Sequence, residues 1–302
     1  MSHLFTYNTM LVMVGTGLLG AVSGLIGSFA VLRKQSLAGD TYAHAALPGL
    51  CIAFLLAGER SLPALLLGAF LSGLLGLMLV SLITRYTKVK TDAALGIILS
   101  TFFGLGIVIS RIVQNQTATG SKAGLDSYIL GKTAGIIASD VYLIGAIGLL
   151  CLATILFLFK EFNVLCFDSE FAKSQGWPVL FLDFVLLMLL GLVVVTGLPV
   201  VGVVMMAALL ILPAVTARFW TERLAIMLPV SAAFGAITGL VGTLLSAEFA
   251  YLPAGPIIVL AGTVFFLISA LFAPRRGWLA RLRQRMNLDL TGSMVEWKTE
   301  TP

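Results

Sequence analysis

Asp40 and His44 stand four residues apart in the segment Gly39-Asp40-Thr41-Tyr42-Ala43-His44-Ala45-Ala46-Leu47-Pro48-Gly49. On a helix that spacing puts both side chains on one face. A carboxylate oxygen and an imidazole nitrogen converging there make a ligand pair for a divalent first-row metal, between a hard all-oxygen cage and a soft thiolate site. The plainer reading is a local Asp–His hydrogen bond at the start of a helix, because a two-residue spacing specifies little by itself. The apolar surroundings favour the first reading, since ionisable groups in membrane segments are costly and mark functional sites. Arg33 and Lys34 lie a few residues upstream and mark a membrane boundary. At ~1.5 Å per helical residue, His44 then falls between the inner interface and the midplane. The imidazole ligates only as the neutral ring, so with an ordinary pKa of about 6.5 protons compete with the metal.

Other candidates are weaker. Asp92 and Asp183 are possible ion-path acids, and Glu248 lies near the end of an apolar run; each can equally be a structural or exposed carboxylate. Leu130-Gly131-Lys132-Thr133 imitates the end of a phosphate loop, but Asp126 occupies the required glycine position and no strand precedes it. Cys51, Cys151 and Cys166 have no CxxC spacing, so neither a disulfide framework nor a thiolate cluster is indicated. Met205 and Met206 read as bundle packing. No set of residues reads as catalytic.

The elements that must hold Asp40 and His44 are membrane helices. Of 302 residues, 59% are hydrophobic and 11% charged, against roughly half apolar and a quarter charged in soluble domains. The mean hydropathy is +1.05. Helices are required because isolated strands leave backbone groups unsatisfied in lipid. Spans are expected at 9–32, 41–57, 61–84, 93–114, 139–160, 178–197, 199–213, 224–245 and 256–273. The sixth and seventh are separated where Gly197, Pro199 and Gly202 interrupt the apolar run. Small residues four apart at Gly20, Gly24 and Ser28, at Gly68, Ser72 and Gly76, and at Gly235 and Gly239 permit close helix contact.

The formal charge of +5 follows topology rather than nucleic-acid binding. Arg33/Lys34, Arg85/Lys88/Lys90, Lys160/Lys173, Arg218/Arg223 and the tail arginines Arg275, Arg276, Arg281, Arg283 and Arg285 fall on one side of a nine-span fold. That side is the cytoplasm and the N-terminus is outside. The first apolar run lacks a basic leader and is read as a retained helix.

The segment Gly27 to Gly49, GSFAVLRKQSLAGDTYAHAALPG, resembles the signature of the ABC-3 family, the zinc, manganese and iron ABC importer permeases. Thr91 to Ser100, Val201 to Ala214 and Tyr251 to Pro256 resemble further blocks of that family in the same order. The resemblance implies an all-α integral membrane fold, a polytopic bundle of about nine helices like a type II ABC importer permease. It implies a transmembrane domain over 1–274, a basic tail over 275–302, and a place in the bacterial cytoplasmic membrane. Asp40 and His44 would bind the transported Mn²⁺, Zn²⁺ or Fe²⁺, with no permanently bound cofactor. The implied partners are a separate ABC ATPase subunit, an extracytoplasmic metal-binding protein, and a second permease copy or paralogue.

The same resemblance assigns about 167–176 to the coupling helix that docks into the ATPase, with Phe167, Asp168, Glu170, Ala172 and Gly176 as its residues. The residues independently support a short helix: Asp168 can cap it, Glu170 suits its first turn and Gly176 stops it. The alternatives are a permease for a metal chelate such as a siderophore, and a secondary transporter driven by protons or sodium through Asp40, Asp92 or Asp183.

Overall fold

The structure is a computed structural model that describes residues 7–57, 61–116, 131–249, 253–274 and 277–278. His3, the tail arginines and part of the Tyr251 to Pro256 block lie outside them.

Apolar runs of this length fold as helices because each closes its own backbone hydrogen bonds. They are α1 (Tyr7–Leu32), α2 (Ala38–Ala57), α3 (Leu62–Tyr86), α4 (Thr91–Gln116), α5 (Ala138–Phe157), α6 (Phe159–Phe167), α7 (Ser169–Ser174), α8 (Val179–Val201), α9 (Val203–Trp220), α10 (Leu224–Glu248) and α11 (Ala254–Phe272), with a 3₁₀ turn at Thr133–Gly135. Eight of them are long and apolar enough to cross a membrane. The ninth, α9, has 18 residues, a rise of about 27 Å against a hydrocarbon core of about 30 Å. The expected all-α membrane bundle is therefore present among the described residues, with eight helices of spanning length and α9 a shorter apolar helix beside them.

Three boundaries differ from expectation. The break between the sixth and seventh spans is not at Gly197 or Pro199 but at Gly202, whose φ is 88°. α8 runs past Pro199 because its last-turn carbonyls find donors outside the helix. Lys132 N–H donates to Pro199 O at 3.0 Å, and Thr133 Oγ1 donates to Val200 O at 2.9 Å. α9 in turn extends through Pro213 to Trp220. The fifth span stops at Phe157, and α6 follows after Leu158 alone. That break lets Phe162 and Leu165, both buried, turn in against the bundle.

Lipid tails are as apolar as leucine, so these helices associate by close packing and hydrogen bonds. α1 crosses α10 through glycine: a methyl on Gly20 would meet the backbone of Gly235, and one on Gly24 the backbone of Ser231. Ser28 Oγ donates to Ser231 Oγ at 2.8 Å in the same seam. α2 and α3 meet likewise at Gly49 and Gly68, where Ser72 Oγ donates to Ala45 O at 2.7 Å. The small-residue stripes thus work as expected. In α1 and α2, 61% of the apolar window is buried, against 17% in α5. The first two helices are the centre of the bundle and α5 its rim.

Candidate metal site

α1 ends in a Schellman turn. Gln35 N–H donates to Ala30 O at 2.8 Å and Lys34 N–H to Val31 O at 3.1 Å. Lys34 takes the left-handed position with φ 57°, a place usually given to glycine. The chain then starts α2 at Ala38, which puts Asp40 in the first turn, where the positive end of the helix dipole favours a carboxylate.

His44 follows one turn later on the same face. Its Nδ1 lies 3.9 Å from Asp40 Oδ1, beyond hydrogen-bonding distance, and this buried nitrogen has no hydrogen-bond partner in the protein. The hydrogen-bonded Asp–His pair of the plainer reading is therefore not formed. Two metal bonds of about 2.1 Å set ligand atoms about 3.4 Å apart in a tetrahedron, so a small rotamer change would let both atoms hold one ion. The imidazole leans on the Phe103 ring of α4, centroids 4.9 Å apart. Its side chain is 15% exposed and that of Asp40 27%, enclosed yet reachable. Pro48 lies inside α2 and has no N–H, so the His44 carbonyl loses its intrahelical donor.

The face that α2 presents is fixed by Tyr42. It is fully buried, and two residues along a helix it points about 200° away from Asp40. Its ring fills space left by Gly73 of α3 and Gly191 of α8, and its hydroxyl donates to Phe70 O at 2.6 Å. The sequence reading missed Tyr42, since an aromatic between two ligand candidates carries no signal until α3 and α8 are seen around it.

The other candidates lie apart. Among the described residues no three His, Cys, Asp or Glu side chains gather as a metal site. Asp92 is exposed in the first turn of α4. Asp183, in the second turn of α8, forms a salt bridge with Arg33 and lines a cavity of about 200 Å³ with Gln35, Ala38, Thr84 and Thr91. Met206 packs its sulfur against Gly197 and Met205 against Gly255, both as bundle packing.

The segment about 167–176 is a capped helix. Phe171 N–H donates to Asp168 Oδ1 at 2.9 Å, and Lys173 Nζ donates to Glu170 Oε1 at 2.7 Å. Gly176, at φ 77°, closes it with a second Schellman turn, Trp177 N–H donating to Ala172 O at 3.1 Å. Ala172 is buried while Phe171, and Phe167 at the end of α6, are exposed, so α7 sits on the bundle by one small residue with an aromatic ring outward on it and another just before it.

The sequence pattern described as the ABC 3 transport family matches residues 6–273. The chain belongs to the ABC 3 transport family. Within this family it is 48% identical over 93% of its length to the manganese transport system membrane protein MntC of Bacillus subtilis, of which it spans 64%. It is 43% identical over 94% of its length to the zinc transport system membrane protein TroC of Treponema pallidum, of which it spans 95%. A solved structure of PsaBC from Streptococcus pneumoniae in complex with Fab superposes with a TM-score of 0.79 at 32% identity, over 92% of this chain and 96% of that one. Like its ABC 3 relatives, this is a multi-pass membrane transport protein, and the resemblance of the segment Gly27 to Gly49 is accounted for.

Proposed function

We propose that this chain is the membrane channel subunit of an ATP-driven importer, and that it passes Mn²⁺, Zn²⁺ or Fe²⁺ into the cytoplasm by way of Asp40 and His44. The carrying observation is that pair: an oxygen and a nitrogen ligand on one face of a central helix, 3.9 Å apart with the nitrogen unsatisfied. Relatives named for manganese and zinc transport support the cargo class. A single chain supplies two such side chains, whereas first-row ions take four or more ligands. A second permease copy or paralogue related by a two-fold axis would bring another pair to the same ion.

ATP hydrolysis belongs to a separate ABC ATPase docking at α7, where Phe167, Asp168, Glu170, Ala172 and Gly176 shape the contact. An extracytoplasmic metal-binding protein delivers the ion. Residues 1–274 serve as the membrane domain and 275–302 as its cytoplasmic tail. Delivery and availability set which metal is carried, because the Irving–Williams order makes Zn²⁺ outcompete Mn²⁺ at most such sites.

The test is uptake of labelled Mn²⁺ and Zn²⁺ per folded transporter in Asp40→Ala and His44→Ala, with the thermal stability of each purified variant. Each is expected to lose most uptake while staying folded in the membrane. Native uptake per folded molecule in both would remove the pair from the ion path.

A further inference from the structure

Arg33 stands where three parts of the molecule meet. It follows the last turn of α1, its own N–H still donating to Phe29 O at 2.9 Å. Its Nη1 donates to Leu165 O at 3.0 Å, and its Nη2 donates to Asp183 Oδ1. Leu165 lies in the last turn of α6, where carbonyls have run out of intrahelical donors and a cation suits the helix dipole. One turn earlier on α1, Phe29 meets Phe162 of α6 edge to face, centroids 5.5 Å apart. α1 therefore holds α6 at two points four residues apart, one aromatic and one guanidinium.

What lies on each side of Arg33 gives the contact its meaning. α6 runs directly into α7, with Asp168 both ending the first and capping the second. On the other side, the turn at Lys34 leads within seven residues to Asp40. The cavity of about 200 Å³ beside Arg33 and Asp183 also borders Ala38 in the first turn of α2. A filled core resists displacement, while an unfilled one leaves neighbouring elements room to shift.

The geometry points to Arg33 as a positioning residue that couples the ATPase-docking helix α7 to the metal-bearing turn of α2. This rests on the reading of α7 and of Asp40/His44 proposed above. A push on α7 passes through α6 to the Leu165 carbonyl and the Phe162 ring, reaches the end of α1, and moves the start of α2 against the cavity. Asp183 braces Arg33 from α8, so that the guanidinium moves with α6 instead of swinging free. Arginine suits this post because its planar fork serves two acceptors in fixed geometry, which a lysine ammonium on its flexible stem does not.

The experiment reads metal ions moved per ATP hydrolysed by the complete transporter, permease with its ATPase, in vesicles loaded by labelled Mn²⁺ or Zn²⁺. In Arg33→Gln the ratio is expected to fall about tenfold, within the usual range of coupling between sites, with ATP hydrolysis continuing. Arg33→Lys should fall between it and the native protein. Asp183→Asn, which leaves the Leu165 contact, should lose less than Arg33→Gln and carries the test if that variant does not assemble. A native ratio in folded Arg33→Gln, or in Asp183→Asn where it alone assembles, overturns the inference. So does a fall in both transport and hydrolysis that only tracks the amount of folded complex. Asp40→Ala in the same vesicles separates the two proposals: native uptake there overturns the metal site, whereas a native ratio in Arg33→Gln overturns the coupling role.

Discussion

His44 Nδ1 is a buried nitrogen without a protein partner, and such an atom carries a desolvation cost of about 1–3 kcal/mol unless something binds it. A transported cation would relieve that cost only while it is present, which suits a site that must release its ligand. Tyr42 separates binding from folding at the same locus. Tyr42→Phe keeps the ring between Gly73 and Gly191 but loses the hydrogen bond to Phe70 O. It should cost about 0.5–1.5 kcal/mol in denaturation of the detergent-solubilised protein, with uptake per folded molecule near native. A large loss of uptake in that variant would mean the hydroxyl itself serves the ion path.

Glycine sets how near the helices come to one another. Gly191→Leu would drive a side chain into the Tyr42 ring, costing about 1–3 kcal/mol by overpacking and turning the Asp40 and His44 face of α2 away. Both the melting temperature and the uptake per folded molecule should fall, in contrast to Tyr42→Phe. Native uptake in the folded fraction would show that α2 does not depend on this contact for its orientation. In α7 the prediction is reversed. Gly176→Val forces a β-branched residue to φ 77° at a cost of about 1–2 kcal/mol, and Glu170→Lys reverses the charge in its first turn. Both should leave the bundle folded and impair transport through the ATPase contact. Normal assembly with the ATPase and native transport in both would remove α7 from the coupling role.

Across the whole molecule the helix order places Arg33, Arg85, Lys173, Arg218 and Arg223 at one end of the bundle, since successive spans alternate direction. The positive-inside rule predicts that this end faces the cytoplasm. Cysteine introduced at Ser2 should react with an impermeant thiol reagent on intact cells, and cysteine at Ser293 only after lysis. Labelling of residue 293 from outside would invert the orientation. The native thiols should stay silent in this assay: Cys51 and Cys151 are buried in the bundle. Burial pushes the Cys166 thiol of α6 up to about 12, so almost none is the reactive thiolate at neutral pH.

Composition and hydropathy alone determined that the chain is a helical membrane bundle of about nine spans, because lipid leaves a backbone no other way to satisfy its polar groups. The Asp40/His44 spacing, the small-residue stripes and the cap-and-stop signals of α7 were equally legible, since each is a local pattern at helical period. Tertiary structure decided what depends on residues far apart in the chain. α8 continues past Pro199 to Val201, where Lys132 and Thr133 supply donors to its last-turn carbonyls, and α5 gives way to α6 where Phe162 reaches Phe29. Asp183 looked from its position like an ion-path candidate, and its salt bridge is to Arg33, 150 residues away. Arg33 itself read as a boundary charge, because a sequence shows the sign of a guanidinium but not the carbonyl and carboxylate that folding brings to it.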